Sequence, residues 1–449
     1  MQKSLLLKLL AVGLIFLLLQ IPLQMIGGLV HERGARQAGV ADEIAASSFG
    51  RQQFAGPILS VPYIEDYDVV VEADHRQHIE HRREQRTLTF FPANADIAGN
   101  ATVSSKHRSL FKVRVFDWNA HMNGEFIIKP TVDLPRTRTD SRITWGAATV
   151  TIGLSDPRGL TATPTLTWNG KTVAILRSSG LGAIPAGVHA VVGVIDPTLA
   201  HAITFGLDIG LQGTQSLSLV PVADSNHITL TSDWPSPSFS GQFLPRPSET
   251  GPAAGFAAEW SVTSLATSAQ QSLLSAIEDR TPCSAGLCGD RLTVDFVDPV
   301  DVYSLTDRAQ KYGFLFIAIG FGAFMLFELL RAAPIHPVQY GLVGLAIATF
   351  FLLLLALSEH FAFALSYLAA AAACVAQLAY YLANALGGRR YGLSFAVLLA
   401  TLFGALYVLL VSEDNALILG ATLVFALVTA ALIMTRKFDW YALGGGKLK

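Results

Sequence analysis

Five apolar runs almost free of charge crowd the last 138 positions of this 449-residue chain, and a sixth occupies its first 30. Each approaches or exceeds the ~20 helical residues needed to cross a hydrocarbon core. Backbone groups inside a bilayer must be satisfied within their own segment, so runs of this kind are helices. The chain is 51% hydrophobic and only 15% charged, against roughly 25% charged in an ordinary soluble domain. That composition excludes a disordered chain and a coiled coil. With 32 Lys and Arg against 34 Asp and Glu, the net charge of −2 gives no signal for nucleic acid or another polyanion.

The first run spans Leu5–Val30, with Lys3 and Lys8 at its start. Gln20, Pro22 and Gln24 follow its most apolar part and no Ala-x-Ala site adjoins it, so an uncleaved anchor fits better than a signal peptide. Further spans are expected at Tyr312–Leu330, Val338–Leu357, Phe361–Leu386, Gly392–Val411 and Ala416–Met434. The loops between them alternate in charge. Arg331, the pair Arg389 and Arg390, and then Arg436, Lys437, Lys447 and Lys449 fall on one side. Ser358-Glu359-His360 and Ser412-Glu413-Asp414-Asn415 fall on the other, without Lys or Arg. This is the positive-inside pattern. It leads to six transmembrane helices, both termini cytoplasmic, and residues 31–311 on the far side. The expected divisions are an anchor at 1–30, an outside domain at 31–311, a five-helix bundle at 312–434 and a cytoplasmic tail at 435–449. Tyr380, Tyr381, Tyr391, Trp440 and Tyr441 lie where aromatic interface anchors belong. In the fourth span Ala362, Ser366, Ala370 and Cys374 recur every four residues, a stripe that lets a neighbouring helix approach.

The 281-residue outside segment is large enough for one or two domains. A short helix is expected at Ala35–Ser48, then β structure at Pro57–Val71, Arg86–Phe91, Phe111–Phe116 and Arg142–Leu154. Further strands are expected at Ala202–Gly210, Ile228–Ser232, Ala257–Thr263 and Leu292–Val297, with a helix near Ala266–Ile277. Asn123-Gly124 and Asn169-Gly170 both have the signature of tight hairpin turns. The proline-rich stretch from Trp234 to Pro252 must be a loop or a sheet edge, because proline lacks the donor a ladder needs. The fold class expected is a six-helix membrane protein with a large, mainly antiparallel β domain inserted between helices 1 and 2.

Candidate chemistry is sparse. Cys283 and Cys288 lie close together outside the membrane, where an oxidising compartment favours a disulfide. Cys374 sits inside a span and packs as a small apolar residue. His75, His78 and His81 invite a metal, yet the run is so rich in Glu and Arg that a solvated strand pair or loop explains it, and no metal site is assigned. Ser358, Glu359 and His360 are consecutive and cannot form a relay, which needs side chains facing one another; Glu359 is expected to help start the next helix. Glu328 is the clearest charge within a span, with an ion pair to Arg331 at i+3 as its simplest account. No P-loop, dinucleotide, zinc-protease or nucleophile-elbow motif is present, so neither a cofactor nor catalytic residues are assigned and no enzyme is expected.

A resemblance emerges from several runs taken together. Tyr303-Ser304-Leu305-Thr306-Asp307-Arg308-Ala309-Gln310-Lys311-Tyr312-Gly313 enters the second span, Ile335-His336-Pro337-Val338-Gln339-Tyr340 opens the third, and Leu357-Ser358-Glu359-His360 closes it. With Asp233-Trp234-Pro235-Ser236-Pro237-Ser238-Phe239, Gly56-Pro57-Ile58-Leu59 and Thr435-Arg436-Lys437-Phe438-Asp439-Trp440-Tyr441, the chain resembles the inner membrane protein CreD family over nearly its whole length. The resemblance implies a bacterial inner-membrane protein linked to envelope integrity and to a two-component response to envelope or cell-wall stress. It brings no catalytic residue. Asp307, Arg308, Lys311, Tyr312, His336, Gln339, Glu359 and His360 match its motifs, and Glu328 joins them as a candidate. The expected partners are membrane lipid and periplasmic or cell-wall components. A non-enzymatic envelope-maintenance role leads, ahead of a transporter or flippase-like unit and a membrane-bound envelope enzyme.

Overall fold

Pro22 has no N–H to give to the carbonyl of Leu18, and the first apolar run breaks there. The computed structural model shows α1 (Gln2–Leu18) and α2 (Gln20–Ser47) on either side of Leu19. It describes residues 2–47, 49–73, 76–108, 111–130, 134–246, 255–279, 281–283, 287–296, 302–331, 335–385, 388–412 and 415–436. The expected separate helix at Ala35–Ser48 is instead the unbroken end of α2. No proline follows Pro22 before Ser48, and Ala, Glu, Arg and Gln sustain the helix beyond its apolar part.

The chain divides into two units, Met1–Ala38 with Val300–Lys449, and Gly39–Pro299. In the first, α1 and α2 are joined by α4 (Val302–Lys311), α5 (Gly313–Arg331), α6 (Pro337–Ser358), α7 (Phe363–Ala385), α8 (Arg389–Val411) and α9 (Ala416–Thr435); α3 (Ala269–Glu278) belongs to the second unit. Among the described residues, Leu7–Ile44, Pro337–Ser358, Phe363–Ala385 and Gly392–Val411 are long and apolar enough to cross a membrane. Gly313–Met325 and Ile418–Ala430 are shorter apolar helices. The separate α4 was not expected: it is amphipathic, burying Tyr303, Leu305, Thr306 and Ala309. Ser366, Ala370 and Cys374 of the small-residue stripe are buried, and Cys374 Sγ lies 3.5 Å from the Ala346 carbonyl on α6. The small side chains there permit the close approach of α6 and α7.

The second unit is a two-sheet sandwich. Its strands in chain order are β1 (Gln52–Ala73), β2 (Arg76–Phe90), β3 (Asn94–Arg108), β4 (Phe111–Ile128), β5 (Arg142–Trp145), β6 (Ala147–Leu154), β7 (Thr165–Trp168) and β8 (Lys171–Val173). They continue with β9 (Ile175–Arg177), β10 (Gly187–Val194), β11 (His201–Thr214), β12 (Ser216–Val220), β13 (Ser225–Ser232), β14 (Ser238–Gly241), β15 (Phe256–Thr263) and β16 (Leu292–Asp295). One sheet runs β14-β16-β12-β1-β6-β10-β9, with β2 and β5 also on β1; the other runs β15-β13-β3-β4-β11-β7-β8. Pairing is antiparallel except for β1 with β12 and β13 with β3. Rings from the two sheets meet in one core: Phe54 of β1 against Trp118 of β4 at 5.6 Å, and Phe239 of β14 against Trp260 of β15 at 5.8 Å. Phe54, Trp118 and Trp260 are almost wholly withdrawn from water and Phe239 partly so; full burial of a phenylalanine-sized side chain contributes about 1.5–3 kcal/mol. The proline-rich stretch supplies β14, the edge strand of its sheet; its residues from 247 onward lie outside the described residues.

The two Asn-Gly pairs part company. Asn169 and Gly170 both have positive φ, 47° and 74°, and join β7 to β8 as the tight turn expected. Asn123-Gly124 is no turn: it lies within β4, paired on both sides, with Asn123 opposite Asp96 and Gly206. A side chain at Gly124 would meet the Asn94 carbonyl oxygen at 2.2 Å and the Phe205 ring at 2.6 Å. Glycine is there so that a neighbouring ring can lie on the backbone, not to supply a left-handed conformation. The stretch expected as one strand over Arg142–Leu154 splits into β5 and β6 around Gly146, whose N–H bonds the Pro62 carbonyl.

Glu65 of β1 is fully buried and organises the segment that precedes β5. Its carboxylate accepts the backbone N–H of Thr137 at 2.7 Å and of Arg138 at 3.2 Å, and the Thr137 hydroxyl at 3.2 Å. Arg86 Nε stands 3.4 Å away. Burial alone would raise its pKa; the hydrogen bonds from Ser141, Arg138 and Thr137 together outweigh it and hold the carboxyl below the ordinary glutamate range.

Candidate functional site

A charge placed within an apolar helix needs a partner, and Glu328 of α5 has several. Lys8 of α1 forms an ion pair with Glu328 Oε1. Tyr340 of α6 donates its hydroxyl to Oε2 at 2.8 Å, and the Ile335 N–H reaches Oε1 at 3.3 Å. The Tyr340 ring is buried between Phe321 and Phe324, at 5.5 and 4.8 Å. Three helices therefore converge on one partly buried carboxylate, with the buried Tyr340 ring packed against it. The expected i+3 pair with Arg331 gives way to Lys8 as the partner seen, and the Arg331 side chain lies outside the described residues. Local spacing could not show a contact across 320 positions. One signal was available: Lys8 is the lone charge within the first apolar run, and the loop alternation puts it on the same side as Glu328.

His336 and Gln339 stand beside this centre as a helix cap. His336 is the N-cap of α6: its Nδ1 accepts from the Val338 N–H at 3.3 Å, and the Gln339 side chain accepts from the His336 N–H at 3.2 Å. This reciprocal box satisfies donors left over at the start of a helix that opens with Pro337. It positions Tyr340, the next residue, and so belongs with the Glu328 cluster.

Glu359 is in a second cluster. It is the C-cap of α6, not the start of α7 as expected. A carboxylate at a helix C-terminus opposes the dipole. Arg33 of α2 offsets it at 3.6 Å, and the Tyr303 hydroxyl of α4 donates to it at 3.4 Å. The neighbours of Glu359 turn elsewhere: the buried Ser358 hydroxyl donates to the Leu355 carbonyl at 2.9 Å, and His360 is exposed. On α4, Asp307 pairs with Lys311 at 2.7 Å and Gln310 donates to the Leu23 carbonyl at 2.9 Å; Tyr312, between α4 and α5, packs partly against the helix core. Arg308 is half-buried. The motif residues thus fall into two groups, one around Glu328 and one around α4 and Glu359.

In the sandwich, Cys283 and Cys288 are joined by a disulfide with Cα atoms 5.1 Å apart. His78 and His81 lie on β2 three residues apart, which puts them on opposite faces of the strand; His81 pairs with Asp68 of β1. His75 lies outside the described residues. Among the described residues no three His, Cys, Asp or Glu side chains gather as a metal site.

The family model described as inner membrane protein CreD matches residues 4–441. The inner membrane protein CreD of Escherichia coli (strain K12) is 32% identical over 436 residues, covering 96% of this chain and 93% of the relative. The chain belongs to the CreD family of inner membrane proteins.

Proposed function

We propose that this protein maintains cell-envelope integrity without catalysing a reaction, with its β sandwich in the periplasm touching envelope components and six helices holding it in the inner membrane. The observation that carries this reading is the insertion of a whole sandwich between the first and second apolar helices, with an exposed polar face on its seven-stranded sheet. The alternation of loop charge supports cytoplasmic termini and an outside sandwich. The shorter apolar helices Gly313–Met325 and Ile418–Ala430 then count as the second and sixth spans. Tying the helices together is the work of the Glu328 and Glu359 clusters. Deleting the protein should raise envelope permeability and lower survival under cell-wall stress; unchanged permeability and survival refute the role. A cysteine at Leu265, 98% exposed, should react with an impermeant maleimide on intact spheroplasts. Protection there until lysis refutes the topology.

The Lys8–Glu328–Tyr340 cluster favours a second reading, a transporter or flippase-like unit in which the partly buried ion pair opens during a cycle. Glu328→Gln in a cell otherwise lacking the protein separates the two. A variant that reaches the membrane in normal amount and restores the envelope phenotype leaves the first reading; one that reaches it but restores nothing favours transport.

A further inference from the structure

We propose that the outward face of the seven-stranded sheet carries a groove for a neutral, amide-bearing saccharide chain, an inference that rests on the envelope-contact reading above. The groove has a volume of about 680 Å³, within the range of about 300–1,000 Å³ usual for small-molecule sites. Its floor crosses β13, β3, β4 and β11, and Thr161, Ala162, Thr163 and Thr165 form one wall.

The strand alternation that buries Ile228, Leu230, Trp118 and Leu207 sends Thr229, Thr231, Asn100, Asn119, His121 and Asp208 outward. Ladder register sets them side by side: Thr231 against Asn100, Asn100 against Asn119, and His121 against Asp208. The imidazole is held in place. Asp208 Oδ1 lies 2.6 Å from Nδ1, and Asn123 Nδ2 donates to Nε2 at 2.9 Å. Asn100 donates to Thr231 Oγ1 at 2.9 Å. Among the described residues the exposed Asn119 amide has no protein partner, so its donor and acceptor both face solvent. The Thr161 hydroxyl occupies the space where Gly210 would carry a Cβ, 2.2 Å from that position, which brings the wall down onto the floor.

The chemistry of this lining selects one ligand class. All four strands of the floor are paired on both sides, so an extended peptide cannot add to an edge here. The lining holds no Lys or Arg, which disfavours phosphates and other anions. Its exposed side chains include no apolar group larger than alanine, which leaves nothing for an acyl chain or an amphipathic helix to bury against. What remains are hydroxyl and amide groups that both donate and accept, with the Asp208 carboxylate as a further acceptor. An uncharged chain of hydroxyl and acetamido groups matches them.

The test uses the full chain in a detergent without a sugar headgroup. The probe is the β-1,4-linked tetramer of N-acetylglucosamine, with maltotetraose as the amide-free comparison, read by saturation-transfer NMR and titration calorimetry. The tetramer should bind, and more tightly than maltotetraose. Asn100→Ala with Asn119→Ala should weaken binding about tenfold, as expected for loss of one or two hydrogen bonds. Ala98→Arg fills the floor from an exposed position and should abolish binding with the thermal unfolding curve unchanged. No binding of either saccharide, equal binding of both, or binding unaffected by Ala98→Arg overturns the proposal. A deletion strain that is leaky while no saccharide binds overturns the groove alone and leaves the envelope role intact.

Discussion

Replacing Glu65 with glutamine keeps the shape of the side chain and removes its charge, at a site with 0% exposure. The carboxylate accepts two backbone N–H groups and one hydroxyl, at 2.7, 3.2 and 3.2 Å, and faces Arg86 Nε at 3.4 Å. Hydrogen bonds to a charged group contribute about 1.5–3 kcal/mol each, and an orphaned buried donor costs about 1–3 kcal/mol. Glutamine retains one acceptor oxygen and turns an NH2 toward donors already present. About half of the network is therefore lost, and Glu65→Gln should destabilise the sandwich by about 2–4 kcal/mol. Tryptophan fluorescence during urea unfolding of the detergent-solubilised protein measures this. Limited proteolysis should also cut the variant faster within 134–141, because those backbone donors help fasten that segment to β1, beside the Tyr63 hydroxyl on the Pro135 carbonyl. The pH dependence has a definite sign. The folded carboxyl titrates below the unfolded one, so its contribution is complete above the unfolded value. It fades as pH falls from about 4.3 through the lower folded value. Wild type and variant should converge in stability on acidification. A Glu65→Gln protein within about 0.5 kcal/mol of wild type at pH 7, a difference typical of ordinary surface changes, with 134–141 equally protected, refutes the reasoning.

Three further outcomes follow from contacts elsewhere. Gly124→Ala should destabilise the sandwich by about 1–3 kcal/mol through overpacking against Asn94 and Phe205, read as a lower urea midpoint. Lys8→Met should lower the thermal stability of the detergent-solubilised protein by leaving Glu328 uncompensated, while Lys8→Met with Glu328→Gln should recover most of the loss; equal loss in both variants would show that the charge pair is not the cause. Cys283→Ser with Cys288→Ser should cost about 2 kcal/mol, the modest value expected for a cross-link that closes a short loop.

Much of the helical unit was legible in the sequence because a bilayer imposes length and polarity on each segment independently. Val338–Leu357 became α6 to within a residue at each end, and Gly392–Val411 lies wholly within α8. The strands at Ala257–Thr263 and Ile228–Ser232 were legible for a similar reason, since alternation is a local pattern. The hairpin at Asn169-Gly170 was readable where turn chemistry alone decides. The same two letters at 123–124 misled because their glycine answers to Phe205, about 80 positions away, and no local pattern records such a neighbour. The site residues divide likewise. The His336–Gln339 box is local, whereas Arg33 with Glu359 and Lys8 with Glu328 join segments that only the packed helices bring together.

By itself, then, the sequence determined which segments form apolar helices and which strands have an inner face, since each follows from the polarity and period of neighbouring residues. Tertiary structure alone decided which distant charges meet, which strands border one another, and that Thr231, Asn100, Asn119, His121 and Asp208 share a single surface. Those outcomes rest on register and on the desolvation of paired charges, and neither exists until remote parts of the chain have been brought into contact.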